Sequence, residues 1–216
     1  MNKLKPILLI IALVSLCGSL RAQGDWKLER NKEGIEIFSR GSVDSRIKSL
    51  KAVCTVESTL SQLAAVLLDI KNQDEWFYHT SSSVLKEVSP SELYYYAELN
   101  FPMPFSNRDF VEHIIISQNP VNLVMTMTVQ NIPDFIPPKK GIVRVMQSQC
   151  KWVVTPLNKK SLLVEFTLFA DPAGSIPVWL INLMSSYGPY ETFKKLKTQL
   201  LKPEYAHVTL VFIKNY

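Results

Sequence analysis

Little in this chain of 216 residues speaks for a bound metal, a disulfide framework or a membrane span. It holds three cysteines, and its three histidines, at positions 79, 113 and 207, lie far apart. None of them stands at metal-ligand spacing from a cysteine or from another histidine. The seven glycines form no phosphate-cradling loop, and no Gly-x-Ser-x-Gly elbow occurs. The one long apolar run, Ile7 to Leu16, falls far short of the ~20 residues of a spanning helix. No stop-transfer segment, repeat or low-complexity tract follows it. The length then suits one ordinary domain with ample material for a core.

Charge of one sign is also scarce: 24 basic residues against 19 acidic give a formal +5. Three of the basic residues, Lys3, Lys5 and Arg21, lie in the first 22 positions. There a basic start, the apolar run and Leu20-Arg-Ala22 read as a secretory signal. Residues 1–22 are expected to be removed, leaving 23–216 as the domain, exported to the periplasm or the medium. Processing before Cys17 as a lipoprotein would want a small residue where Leu16 stands, so it ranks below secretion. Without the leader the surplus is small. Nucleic acid loses its compositional support, while weak, transient contact with an anionic membrane surface stays open. Cys54 and Cys150 lie in separate strand-like runs and read as buried apolar thiols, although export would permit a disulfide.

What is present is strand after strand. Gly34 to Arg40 and Ile47 to Val56 form an early pair. Ser83 to Val88 and Leu93 to Phe101 are joined by Ser89-Pro-Ser91. Arg108 to Gln118 and Leu123 to Gln130 meet at Asn119-Pro120. Ile142 to Thr155 and Ser161 to Ala170 flank Pro156 and Asn158. Such short connections favour antiparallel pairing. Thr59-Leu-Ser-Gln62 is a capping-box pattern, followed at helical spacing by Leu60, Leu63, Ala64, Leu67 and Ile70. A long helix opens at Pro177 and carries Trp179, Ile181, Met184, Tyr187, Phe193, Leu196 and Leu200. The sum is about eight strands, one short early helix and one long late helix: an α+β fold with an antiparallel sheet.

Charged residues among the strands have plain structural readings. Arg108 and Asp109 are strand neighbours and face opposite sides, so each is expected to pair elsewhere and fix the turn after Pro104. Glu112 and Glu165 can project inward by strand parity, where apolar neighbours would raise their pKa, but solvent-facing carboxylates are commoner. Met125 and Met127 suit either a filled core or a cavity for a flexible apolar ligand.

Several motifs occur in order: Trp26-Lys-Leu, Gly34-Ile-Glu-Ile-Phe, Asp69 with Trp76, Phe101-Pro-Met-Pro-Phe-Ser-Asn-Arg-Asp-Phe110, Lys140-Gly-Ile-Val-Arg144, Trp152 with Pro156, and Asp171-Pro-Ala-Gly-Ser-Ile-Pro-Val-Trp-Leu-Ile-Asn182. From Trp26 to about Leu201 the chain resembles the START family, the lipid-transfer domains related to steroidogenic acute regulatory protein. The resemblance implies a helix-grip fold, a curved antiparallel sheet wrapped around a long C-terminal helix with an apolar tunnel between them. It implies non-covalent binding or transfer of a lipid or other hydrophobic small molecule, with no catalytic residue, metal or cofactor.

The motifs around Ser106-Asn-Arg-Asp and Ile176-Pro-Val-Trp-Leu-Ile-Asn resemble those of the phosphatidylcholine-carrying branch. That branch holds the phosphate with an Arg three residues before the helix-ending Trp and has an Asp just after it, where Gln73 and Phe77 stand here. An uncharged Gln does not replace a charge-assisted clamp. The buried Arg of steroidogenic members is Ile114 here.

Carried over position by position, the expected ligand contacts are Leu67, Gln73 and Phe77 near the early helix end, Tyr95, Ala97 and Leu99 on one strand face, and Phe110. Arg144, Met146, Ser148 and Cys150 are added by period-two spacing, Phe169 closes the last strand, and Ile181 and Met184 follow by helical spacing. Gln73, Ser148 and Tyr95 would orient one polar head. Tyr187-Gly188-Pro189 is expected to interrupt the last helix and act as a hinge that lets its C-terminal half swing from the tunnel mouth for lipid entry. The rival reading is an enzyme of the polyketide cyclase type on a related grip, in which Glu112, Glu165 or His113 acts on a bound aromatic substrate.

Overall fold

The computed structural model describes residues 25–42 and 45–216. The leader segment and Cys17 lie outside them. Among the described residues ten strands form one sheet: β1 (Lys27–Lys32), β2 (Ile35–Ser42), β3 (Ser45–Glu57), β4 (Thr80–Ser89), β5 (Glu92–Leu99), β6 (Arg108–Gln118), β7 (Met125–Asn131), β8 (Val143–Arg144), β9 (Gln147–Asn158) and β10 (Ser161–Asp171). Helix α1 (Leu60–Leu68) and a 3-10 turn (Ile70–Glu75) separate β3 from β4, and α2 (Val178–Gln199) follows β10. The sheet runs β1-β2-β3-β10-β9-β7-β6-β5-β4 with antiparallel neighbours, while β8 lies off this path and pairs parallel with β6.

Period-two burial gives the sheet its inner face. Leu162, Val164 and Phe166 of β10 are buried, as are Met125, Met127 and Val129 of β7, while their strand neighbours are partly exposed. On that face α2 lays Tyr190, Phe193 and Leu196, all buried, against β2 and β3, and its C-cap Leu200 is buried as well. Phe193 stacks on Trp152 at 5.5 Å between ring centroids, and Trp152 meets Phe166 at 4.5 Å. Fully burying side chains of this size contributes roughly 1.5–3 kcal/mol each. This is the helix-grip architecture, a curved antiparallel sheet closed over a C-terminal helix.

Thr59 caps α1 as its position predicts, accepting from Gln62 N at 3.2 Å. The Gln62 side chain does not complete the reciprocal box. Its Nε2 donates to Leu200 O at 2.7 Å, tying α1 to the end of α2. Ile70 falls in the 3-10 turn rather than in the helix.

Three expectations need correction. The strand β1 was not anticipated, because Lys27-Leu-Glu-Arg-Asn-Lys32 is a charged edge strand with little apolar alternation. The run from Ile142 to Thr155 is two strands, not one, broken at Val145 and Met146. Helix α2 runs unbroken through Pro189, which removes one backbone donor without ending the helix. Its apolar face also lies elsewhere than expected at the N-terminal end: Leu180 is buried, whereas Trp179 is 65% exposed and Tyr187 is exposed.

Candidate functional site

Two apolar lobes of about 150 Å³ each lie on the inner face of the sheet. The inner lobe sits between β5, β6, β7, β9 and β10 and the segment from Leu67 to Thr80. The outer lobe lies under α2, against Ile181, Gly188, Pro189 and Thr192. Both are lined by Phe77, Leu99, Phe110, Phe166, Leu168 and Ala170, so they adjoin.

Among the described residues, one carboxyl lines the inner lobe. Glu112 of β6 stands opposite Tyr95 of β5 in the strand register. The Tyr95 hydroxyl donates to Glu112 Oε2, and the Ser148 hydroxyl donates to Oε1 at 3.1 Å. Burial pushes the Glu112 pKa up, against the two hydrogen bonds, which pull it down. Burial, and then the neighbouring Glu112, push the Tyr95 phenol and the Cys150 thiol well above their ordinary values. Gln73 accepts from the Ser82 hydroxyl through its amide oxygen, which leaves Nε2 as its donor end. Among the described residues no Lys, Arg or His lines the inner lobe.

Arg108 shapes the rim of the outer lobe. Its Nε donates to Pro172 O at 3.0 Å, Nη2 to Ala173 O at 3.2 Å and Nη1 to Ser106 O, and the guanidinium covers the Phe101 ring at 4.7 Å. One side chain thus joins the β5–β6 connection to the entry of α2. Gly174 takes φ +67, which favours glycine, and a Cβ there would meet Arg108 Nη2 at 3.4 Å.

Leu67, Gln73, Phe77, Tyr95, Ala97, Leu99, Phe110 and Cys150 line the inner lobe, and Ile181 lines the outer one. Ser148 reaches the inner lobe through its hydrogen bond to Glu112. Arg144, Met146 and Phe169 do not line either lobe. The break after β8 destroys the period-two relation that grouped the first two with Ser148 and Cys150. Arg144 instead grips Asp109, with Nε to Oδ1 at 2.9 Å and Nη2 to Oδ2 at 3.0 Å. Met146 is 55% exposed. Phe169 has the parity opposite to Phe166, Leu168 and Ala170, and pairs with exposed Gln149. The Met184 side chain lies outside the described residues.

The lobe-lining residues missed beforehand include Trp76, Thr80, Trp152, Phe166, Leu168 and Ala170. For the β10 trio the missed signal was parity with buried Leu162 and Val164.

The other residues weighed for chemistry are elsewhere. His113 faces away from the lobe, at 2.8 Å from Glu92 and stacked on Tyr94. Glu165 shares its parity with Leu163 and Thr167, not with the buried residues of β10. Cys54 and Cys150 are free thiols, and burial raises Cys54 to about 11. They flank β10 from opposite sides, at Val164 and Leu168, which places them roughly 16 Å apart, beyond disulfide reach. Among the described residues no group of three His, Cys, Asp or Glu side chains is placed to hold a metal ion. Among the same residues no helix is long and apolar enough to cross a membrane.

A curved sheet gripping a helix around an apolar interior defines the helix-grip class. Within it, the chain belongs to the START family: the START domain pattern matches residues 14–204. An uncharacterized protein of Pseudomonas aeruginosa is 25% identical over 195 residues, 90% of this chain and 96% of that protein. Rat phosphatidylcholine transfer protein is 28% identical over 170 residues, 76% of this chain and 78% of its own. Among solved structures, a STAR-related lipid transfer protein from Xanthomonas axonopodis superposes with a TM-score of 0.75 at 29% identity, covering 82% of this chain and 99% of that one. The Zhui aromatase/cyclase of a Streptomyces shares the fold alone, at TM-score 0.52 and 10% identity over 75% of this chain and 100% of its own.

Proposed function

We propose that the protein binds one hydrophobic ligand, a lipid, in the adjoining lobes between sheet and α2, and carries it across an aqueous compartment. The observation that carries this reading is the pair of lobes themselves: apolar side chains from β5, β6, β7, β9 and β10 face the same space that α2 covers. Each Å² of ligand surface removed from water there contributes about 25 cal/mol. Membership of the START family supports the same reading. The site residues of this proposal are Leu67, Gln73, Phe77, Tyr95, Ala97, Leu99, Phe110, Cys150 and Ile181, joined by Phe166, Leu168 and Ala170. Entry requires the N-terminal half of α2 to move rather than the C-terminal half expected from sequence, whose Tyr190, Phe193 and Leu196 are buried in the core, with Gly188 and Pro189 as the hinge beside the outer lobe. Export through the 1–22 leader would place this traffic outside the cytoplasm. Lipid extraction from purified protein, read by mass spectrometry, tests the binding. A reproducible single lipid supports it, and protein that stays empty among mixed lipids refutes it.

A second reading, cyclase-type enzyme activity, has one observation in its favour: Glu112 faces inward and burial raises its pKa. Turnover of a poly-ketone substrate that is lost in Glu112→Gln would support it, and binding without turnover would exclude it.

A further inference from the structure

Glu112 is a carboxyl in an apolar chamber that no cation among the described residues lines. The groups around it are Tyr95 from β5, Ser148 and Cys150 from β9, Met127 and Val129 from β7, and Gln73 beside the early helix. Each is uncharged. Two donors line the same lobe: the Gln73 amide, whose oxygen is taken by Ser82, has Nε2 as its donor end, and Trp76 buries an indole N–H without a partner among the described residues.

The two basic residues of the outer lobe are already engaged. Arg108 is held by three backbone carbonyls, and Lys48 lies 3.6 Å from Glu29. A buried anion would therefore meet a carboxyl and no counter-charge, and burying a charge unpaired is costly.

We propose that Glu112, oriented by Tyr95 and Ser148, is the polar anchor of the inner lobe, and that it selects a lipid ending in an uncharged oxygen — an alcohol, ester or other carbonyl — over one ending in carboxylate or phosphate. This rests on the cavity-binding reading above and adds the chemical class of the ligand. Burial favours the neutral form of Glu112, and a neutral carboxyl donates to such an oxygen, as do the Gln73 and Trp76 N–H groups. Tyr95 and Ser148 hold the acid in place, and their hydroxyls accept as well as donate.

The test uses four ligands of one chain length: hexadecanol, methyl hexadecanoate, hexadecanoate and hexadecyl phosphate. Each is titrated into delipidated full-length mature protein, with binding read by intrinsic tryptophan fluorescence and native mass spectrometry. In the native protein the alcohol and the ester should bind at least about tenfold tighter than the two charged ligands, the cost of an unpaired buried charge. Glu112→Gln, which keeps a neutral donor, should retain that preference. Glu112→Leu should weaken alcohol and ester binding by about threefold to tenfold, the worth of one neutral hydrogen bond. Tyr95→Phe, a smaller change to the fold, should weaken the same two ligands to a lesser degree. Equal binding of all four by the native protein, or an unchanged preference in both Glu112→Leu and Tyr95→Phe, overturns the anchor while leaving the cavity reading intact. A native protein that binds none of them overturns both.

Discussion

Arg144 and Asp109 form a bidentate ion pair inside the fold, at 2.9 and 3.0 Å, with the carboxylate fully buried and the guanidinium nearly so. The remaining donors of Arg144 go to the carbonyls of Pro133, Ile136 and Pro137. One residue thus fastens the proline-rich connection between β7 and β8 to β6. Removing one partner of such a pair leaves the other charge uncompensated. Arg144→Ala should destabilise the protein by about 3–5 kcal/mol in denaturant unfolding. Ligand affinity should stay close to that of the native protein once folding is corrected for, because the pair lies away from both lobes.

A pH dependence follows from Glu112. Its pKa in the folded protein is raised above the ordinary 4.5, with burial as the leading cause. Below 4.5 folded and unfolded chains both hold the proton, so the group contributes no pH dependence there. As pH rises past that value the unfolded chain releases its proton first, and native stability falls until the folded group ionises too. Glu112→Gln has no such proton. Its stability relative to the native protein should therefore improve between pH 4.5 and neutrality. Paired denaturant titrations at the two pH values measure this, and a gap that stays constant would remove the raised pKa.

The hinge proposal makes a kinetic prediction. Gly188 faces Tyr78, and a Cβ there would approach Tyr78 Cδ1 to 3.2 Å, so Gly188→Ala disturbs packing as well as flexibility. Pro189→Ala is the cleaner change, because it restores a helix donor. Transfer of a fluorescent lipid between vesicles should slow in Pro189→Ala with equilibrium binding preserved. An unchanged transfer rate would remove the hinge.

How much of this was legible beforehand depended on local pattern. The span of β6 could be read directly, since the strand-like run from Arg108 to Gln118 is bounded by Pro104 and by Asn119-Pro120. The inner lobe was largely legible where strands stay regular, as in Tyr95, Ala97 and Leu99. It was not legible where a strand breaks. Arg144 and Met146 were grouped with Cys150 by a periodicity that the β8–β9 break resets, and nothing in Val145-Met146 announces the break. Glu112 was visible as a candidate, but whether it faced water or a cavity depends on β5 and β9 covering it, which is tertiary information.

The C-terminal tail gave no signal at all. There Gln118 and the Lys214 backbone exchange two hydrogen bonds at 2.8 Å, Asn215 Oδ1 accepts from Ser61 N at 2.9 Å, and Ile213 is buried. Pairing across so long a sequence separation leaves no local pattern. Ile213→Ala should cost about 2–5 kcal/mol, measured by denaturant unfolding. A loss near zero would mean that the tail is not part of the core.

The most direct measurement is native mass spectrometry of the mature protein purified without detergent, followed by extraction and identification of what it holds. Cavity binding predicts one mass shift per chain, from a hydrophobic molecule with an uncharged polar end, and loss of that shift when bulk is placed in the inner lobe, as in Ala97→Trp. Protein that is empty as isolated and remains empty after incubation with mixed lipids would contradict it.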